Sequence, residues 1–296
     1  MSEPHRLCYT PAMSSQENLA PGLYLVATPI GNLEDISFRA IRVLKQCDLI
    51  ACEDTRQTQK LLNHYAIETP TISYHEHNEA SRAAELVEKL AKGAKIAVVS
   101  DAGMPGISDP GFRLISLAIE RGMSVVPIPG PAALVTALVA SGLALEPFTF
   151  HGFLPAKSGA RRRELEKMRD LSATEIFYEA PHRIRETLAE IVEILGPTRR
   201  IVVARELTKV HEEFLRGTAG EVLKILQERR EVKGEITLLI APASAQDVLA
   251  PAQSIRERLD QIMREEKLEE KAALKKVAKE RGISKSEAYR MMQGRS

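Results

Sequence analysis

The sequence has no tryptophan, and aromatic residues make up only 4% of its 296 positions, so wide platforms for stacking unpaired bases are limited. Cysteine is scarce and odd in number: Cys8, Cys47 and Cys52 fit neither a paired zinc-ligand spacing nor a secreted disulfide framework. A reducing compartment follows. No uncharged run approaches the roughly 18 residues of a spanning helix, and the opening stretch lacks the apolar core of a signal peptide. Residues 1–21 therefore read as a flexible leader on a soluble, cytoplasmic protein. An excess of one charge is missing too. With 41 basic against 40 acidic residues the net charge is +1, so any affinity for a polyanion must come from local clusters.

What is present suits a globular chain with substantial cores, at 44% hydrophobic and 27% charged. From Leu23 to Ile128, short β-branched runs at 23–27, 49–52, 71–74, 95–100 and 124–128 alternate with amphipathic stretches at 36–45, 57–65, 80–92 and 112–121. That rhythm predicts a largely parallel sheet covered by helices, its strands buried on both faces. Pro129-Gly130-Pro131 then opens a helix over 132–142 without any charge, which is expected to be buried. A second α/β region follows, with strands near 148–153, 175–179, 200–207, 213–216 and 235–241 and helices at 161–171, 181–195 and 219–229. The expected organisation is a leader at 1–21, an α/β domain at 22–145, a second at 146–243, a linker at 244–254 and a basic helical domain at 255–296.

The tail carries most of the local positive charge, with eight Lys or Arg against two Glu between Lys271 and Ser296. Val277, Ala278, Gly282, Ile283 and Ala288 occupy the packing and turn positions of a helix-turn-helix, and two readings stay open: a nucleic-acid clamp or a plain solvated hairpin. Ligands in an open parallel sheet collect beyond the carboxyl ends of the strands. There the sequence places Thr28-Pro29-Ile30-Gly31-Asn32, Glu53-Asp54-Thr55-Arg56, His75-Glu76-His77-Asn78 and the turn-rich run from Asp101 to Gly111. One glycine in the first turn, where a dinucleotide fold needs three, argues against a nicotinamide enzyme. His75 and His77 with Glu76 are too sparse a pattern to carry a metal site, and none is expected.

Three of these stretches carry a family resemblance: Leu25-Val26-Ala27-Thr28-Pro29-Ile30-Gly31-Asn32-Leu33, then Ser100-Asp101-Ala102-Gly103-Met104-Pro105-Gly106-Ile107-Ser108-Asp109-Pro110-Gly111, then Pro127-Ile128-Pro129-Gly130-Pro131. With Phe150-His151-Gly152-Phe153-Leu154-Pro155, Phe177-Tyr178-Glu179-Ala180-Pro181-His182-Arg183 and Arg205-Glu206-Leu207-Thr208-Lys209, the chain resembles the tetrapyrrole-methylase superfamily. Within it the resemblance is to the RsmI branch, the ribosomal small-subunit RNA cytidine 2′-O-methyltransferases. It implies two α/β domains with the cofactor cleft between them, S-adenosyl-L-methionine as cofactor, a homodimer, and 16S rRNA, within the assembled small ribosomal subunit, as partner. The implied cofactor contacts are Pro29, Ser100, Asp101, Ala102, Gly103, Ile107, Ser108, Pro131, Ala180, Leu207 and Gly234.

Methyl transfer to a ribose hydroxyl needs alignment first and help with a proton second. Asp54, His75 and Glu179 are the catalytic candidates, with His77 and Glu206 also on strand ends. Arg56 either holds a phosphate or pairs with Asp54 as a helix cap. Lys157, Arg161, Arg162 and Arg163 form the densest basic cluster outside the tail, and with Lys275, Lys276 and Lys285 they are the expected RNA contacts. A surface helix face would carry such a cluster equally well. Two other functions share parts of this pattern: a small-molecule tetrapyrrole methylase, which has no use for the basic tail, and a helix-turn-helix regulator with an α/β sensor.

Overall fold

The computed structural model describes residues 18–243, 255–266, 268–280 and 285–292. Most of the leader, the linker 244–254 and the turn positions Gly282 and Ile283 lie outside those residues. The chain divides into two compact units, Met1–Pro131 and Ala132–Ser296.

The first unit builds β1 (Gly22–Val26), α1 (Phe38–Gln46), β2 (Leu49–Cys52), α2 (Thr55–His64), β3 (Thr71–Ser73), α3 (Glu79–Ala91), β4 (Lys95–Val99), α4 (Phe112–Glu120) and β5 (Val125–Ile128). All five strands pair in parallel in the order β3-β2-β4-β1-β5. Helices α1 and α2 pack one face through Val43, Leu44, Leu61 and Leu62. Helices α3 and α4 pack the other through Leu86, Val87, Leu90 and Leu114. Being covered twice, the strand bodies Ile50, Ala51, Cys52, Ile96 and Ala97 are fully buried, which is why they read as continuous apolar runs. Side chains set the helix starts: the Ser37 hydroxyl accepts the Ala40 N–H at 3.1 Å, and Asp54 caps α2.

The second unit contains α5 (Ala133–Ser141), β6 (Phe148–Phe153), α6 (Ser158–Lys167), β7 (Thr174–Glu179), α7 (Ile184–Leu195), β8 (Arg200–Arg205), β9 (Glu213–Thr218), α8 (Ala219–Glu228) and β10 (Ile236–Ile240). Its sheet has the order β6-β7-β10-β8-β9 and is mixed: β6 runs parallel to β7, and the other pairs are antiparallel. Helices α6 to α8 bury Leu165, Leu188, Ile191, Val222 and Leu226 against Phe177, Val203 and Leu238.

Two expectations change here. Helix α5, assigned from the sequence to the end of a domain at 22–145, packs on β7, β8 and β10 and belongs to the second unit. Nor is it wholly buried. Leu134, Ala137 and Leu138 are covered, while Val135 and Val139 are 47% and 64% exposed; a helix apolar all round has been given only one partner surface.

The described residues of the tail form three helices, α9 (Ile255–Glu266), α10 (Glu270–Glu280) and α11 (Lys285–Met292), the last two in the stretch read as a helix-turn-helix or hairpin. Ile255, Leu259, Ile262, Leu274, Val277 and Ala288 form a core of its own. Among the described residues no helix is long and apolar enough to cross a membrane.

Candidate active site

The carboxyl ends of β1, β4 and β5, neighbours in the first sheet, are stitched together by their loops. Thr28 and Gly103 form an isolated antiparallel bridge, each N–H donating to the other's carbonyl at 2.9 and 3.0 Å. The Thr28 hydroxyl donates to the Ser100 carbonyl at 3.1 Å. Gly103 adopts φ +84°, and a β-carbon there would lie 3.7 Å from the Pro131 carbonyl, so the second and third loops meet at this point. Gly130 permits the crossing, since a β-carbon would stand 2.8 Å from that of Ala27. Pro29, Ser100 to Gly103 and Pro131 are thus brought together on one edge. Asp101, Ala102, Ile107 and Ser108 are exposed on the loop, and Ser108 holds φ +61°, a strained conformation that a well-determined surrounding must maintain.

This edge is acidic. Asp109, which sequence reasoning passed over as turn punctuation, is pushed up to about 6, first by burial and then by the Glu53 charge. Burial also raises Glu53, helped by the charge of Asp101, and raises Asp101, helped by that of Asp54. Three carboxyls that resist joint ionisation are complementary to a cationic ligand. Among the described residues no group of three or more His, Cys, Asp or Glu side chains is placed to hold a metal ion.

The three catalytic candidates fare worse. Asp54 accepts the Arg56 N–H at 2.8 Å and its guanidinium at 2.9 and 3.1 Å. Those Arg56 bonds hold its carboxyl down to about 2, too weak a base for a ribose hydroxyl. Arg56 itself stays 88% exposed, so of its two readings the helix-cap pairing is present and the outer guanidinium edge still faces solvent. In His75 the ring is committed as well. The Asn78 side-chain Oδ1 accepts the His75 backbone N–H at 2.9 Å, which turns the Asn78 side-chain amide nitrogen toward His75 Nε2 at 3.2 Å. Nδ1 on the other side of the ring is buried, so neither ring nitrogen is open to a substrate. Glu179 lies in the second unit with a fully buried side chain. Its oxygens accept from Arg183 Nε, from the Ala180 N–H at 2.7 Å and from the Thr187 hydroxyl at 2.8 Å. It holds the turn after β7, three of its roughly four acceptor positions are taken, and its burial keeps it from substrate.

The second unit's other expected cofactor contacts sit on a locked pair of strand ends. Leu207 is buried between Glu206 and Thr208, both non-glycine residues at positive φ, 52° and 64°. Lys209 Nζ bridges Glu206 and Glu235 at 2.8 and 2.9 Å. Gly234, at φ +90°, has no room for a β-carbon, which would meet Glu206 at 2.4 Å.

The basic cluster on α6 is mostly interior. Arg161 is fully buried between Glu190 and Glu186. Arg162 is 12% exposed and bound by two N–H donors to Glu193 at 2.6 and 2.8 Å. Only Lys157 and Arg163 of the four are exposed. In the tail Lys275 and Lys285 are exposed and Lys276 partly so.

A doubly covered parallel sheet with interlocked glycine and proline loops, followed by a mixed sheet, is the architecture of one enzyme class, and the chain belongs to the Tetrapyrrole (Corrin/Porphyrin) Methylases, whose profile matches residues 22–223. Solved structures share the fold at low identity: uroporphyrin-III-C-methyltransferase from Thermus thermophilus superposes with a TM-score of 0.53 at 18% identity, covering 75% of this chain and 94% of that one. A diphthine synthase gives 0.56 at 12% identity, with 78% and 94% covered. Curated relatives are far more similar. Ribosomal RNA small subunit methyltransferase I of Halalkalibacterium halodurans is 49% identical over 275 residues, spanning 90% of this chain and 93% of that one. The protein of that name from Bacillus subtilis is 47% identical over 272 residues, with 90% and 92% covered. Within the superfamily the chain belongs to their branch.

Proposed function

We propose that this protein transfers a methyl group from S-adenosyl-L-methionine to the ribose 2′-hydroxyl of a cytidine in 16S rRNA, acting in the cytoplasm on the assembled small ribosomal subunit. The observation that carries this reading is the similarity to the ribosomal RNA small subunit methyltransferases I over nine-tenths of the chain. The first unit fits the cofactor: Glu53, Asp101 and Asp109 suit its positive charge, and the loop residues 101–102 and 107–108 are exposed along the same edge. When bound, the cofactor supplies an electrophilic methyl on a cationic sulfur. The protein's own task is alignment, through the loops that Thr28 and Gly103 fix together. With Asp54, His75 and Glu179 committed elsewhere, Asp109, pushed up to about 6, is the acid on this edge best matched to accept the hydroxyl proton near neutral pH. Phosphate contacts come from Lys157, Arg163 and the outer edge of Arg56, and from Lys275, Lys276 and Lys285 of the tail.

Incubation with small ribosomal subunits and methyl-labelled cofactor, followed by nucleoside mass spectrometry, is expected to yield labelled 2′-O-methylcytidine. Label on a base, or only on a porphyrinoid, would overturn the reading. Because α9 to α11 have their own core, a chain ending at residue 243 is expected to bind cofactor normally. Its RNA methylation should fall at least about tenfold, the loss deepening with salt as phosphate contacts weaken.

The working unit is a homodimer. From α5 into β6 the second unit exposes Val135, Val139, Leu145, Phe148 and Phe153 at 44–64%, an apolar stretch suited to a second copy of itself. Val139→Asp is expected to convert a dimer to a monomer in sedimentation velocity. A monomeric wild type, or a variant that stays dimeric, would sink the assignment.

A further inference from the structure

We propose that Glu79, buttressed by Tyr74, is a positioning residue that clamps the far end of the Asp101–Gly111 loop and so sets cofactor affinity. The proposal rests on reading that loop as the cofactor loop. Helix α4 begins after Gly111, which adopts φ +143° and has no side chain to cap the helix, although the first N–H groups of a helix need acceptors from outside it. Glu79, the first residue of α3, supplies one. Its Oε1 accepts the N–H of Gly111 at 3.3 Å and of Arg113 at 3.4 Å, and a carboxylate at that end also suits the helix dipole. The Tyr74 hydroxyl donates to the same oxygen at 3.0 Å. Tyr74 is 2% exposed, so this donor is fixed by packing.

The turn between β3 and α3 leads directly to that carboxylate. Asn78 accepts the His75 N–H at 2.9 Å and donates to the Ser73 carbonyl at 3.2 Å, closing the turn so that α3 starts at Glu79. His75 and Asn78, conspicuous in the sequence as polar residues on a strand end, thus serve the loop rather than the proton. The loop is held at both ends. Gly103 is bridged to β1 and Gly111 is bound to α3, while Gly106 and Ser108 between them hold positive φ. A strained serine backbone persists only where its surroundings over-determine it, and a pre-formed loop binds more tightly because less order is lost on binding.

Calorimetric titration of Glu79→Ala, Glu79→Gln and Tyr74→Phe with S-adenosylmethionine and with its neutral demethylated product tests this. Glu79→Ala is expected to raise both Kd values about tenfold and alike, since the clamp acts on backbone order and not on ligand charge, with kcat at saturation changed less than about threefold. Glu79→Gln keeps an acceptor oxygen and should stay within about threefold of wild type, and amides 104–111 should exchange faster in Glu79→Ala than in wild type. Asp101→Arg serves as the reference. If it loses binding while Glu79→Ala does not, the clamp is wrong and the loop assignment stands; if neither loses binding, the loop assignment itself is wrong. A glutamine variant as weak as alanine, or a loss confined to the cationic ligand, would overturn the positioning role.

Discussion

Asp101→Arg is expected to weaken S-adenosylmethionine binding by about 100-fold or more, the scale of removing one partner of a charged, hydrogen-bonded contact, with little effect on the fold. Asp101 is exposed, and its one structural contact is acceptance of the Asp54 N–H at 3.2 Å. The substitution does more than remove a negative charge. It places a permanent cation on the edge where Glu53 and Asp109 are already crowded, so the variant neutralises the field that suits a sulfonium. Asp101→Asn keeps an acceptor for the Asp54 N–H and should lose only about tenfold. Calorimetry with the cofactor and with its neutral product separates charge from shape: the arginine variant should discriminate against the cationic ligand more than the neutral one. Equal affinities for wild type and variant would remove Asp101 from the site.

How much of this was visible beforehand depends on which interactions are local in sequence. Strands buried on both faces betray themselves as apolar runs, so Leu49–Cys52 was legible to the residue, while the edge strand Phe148–Phe153, largely exposed, was legible from its aromatic and β-branched residues instead. Helix α6 starts at Ser158, three residues ahead of the expected Arg161; its cap, Lys157, makes no side-chain capping bond and so gave no start signal. The loops were legible because Gly103, Gly106 and Gly111 occupy positive φ, a conformation the residue type announces. Roles for the polar side chains were not. Arg183, four residues after Glu179, was the available sign that this acid was taken, as Asn78 was for His75. For Glu79 the one nearby partner is Tyr74, which says nothing of the loop, since Gly111 and Arg113 are more than thirty residues away. Asp109 was hidden for a different reason: its burial is a property of the folded loop.

Glu190→Leu is expected to destabilise the second unit by about 3–5 kcal/mol, the cost of stranding a buried charge, or roughly 6–20 °C in melting temperature for a domain of this size. Arg161 was one of the RNA contacts expected from the sequence, yet its side chain is 0% exposed. Nε donates to Glu190 Oε2 at 2.6 Å and a terminal nitrogen to Oε1 at 3.1 Å, and Ser158 donates to the same carboxylate at 2.6 Å. The two halves of the pair are not equivalent. Arginine cannot shed its proton, so without Glu190 it keeps its charge with only the half-exposed Glu186 at 2.7 Å beside it. In Arg161→Met the orphaned Glu190 can escape by taking up a proton. A proton taken up there by the native state alone makes the variant's deficit shrink as pH falls. The Glu190→Leu deficit should lack that pH dependence, and Arg161→Met with Glu190→Leu should recover much of the loss, since an apolar pair of similar volume leaves no charge stranded. Calorimetric melting across pH 4–8 reads all three outcomes, and a glutamate variant no less stable than wild type would contradict the burial. RNA affinity completes the separation. Arg163→Glu, on the exposed side of the same helix, should weaken it several-fold and lower its salt slope, whereas folded Arg161→Met should bind RNA as wild type does, because a guanidinium enclosed by two carboxylates has nothing left to offer a phosphate.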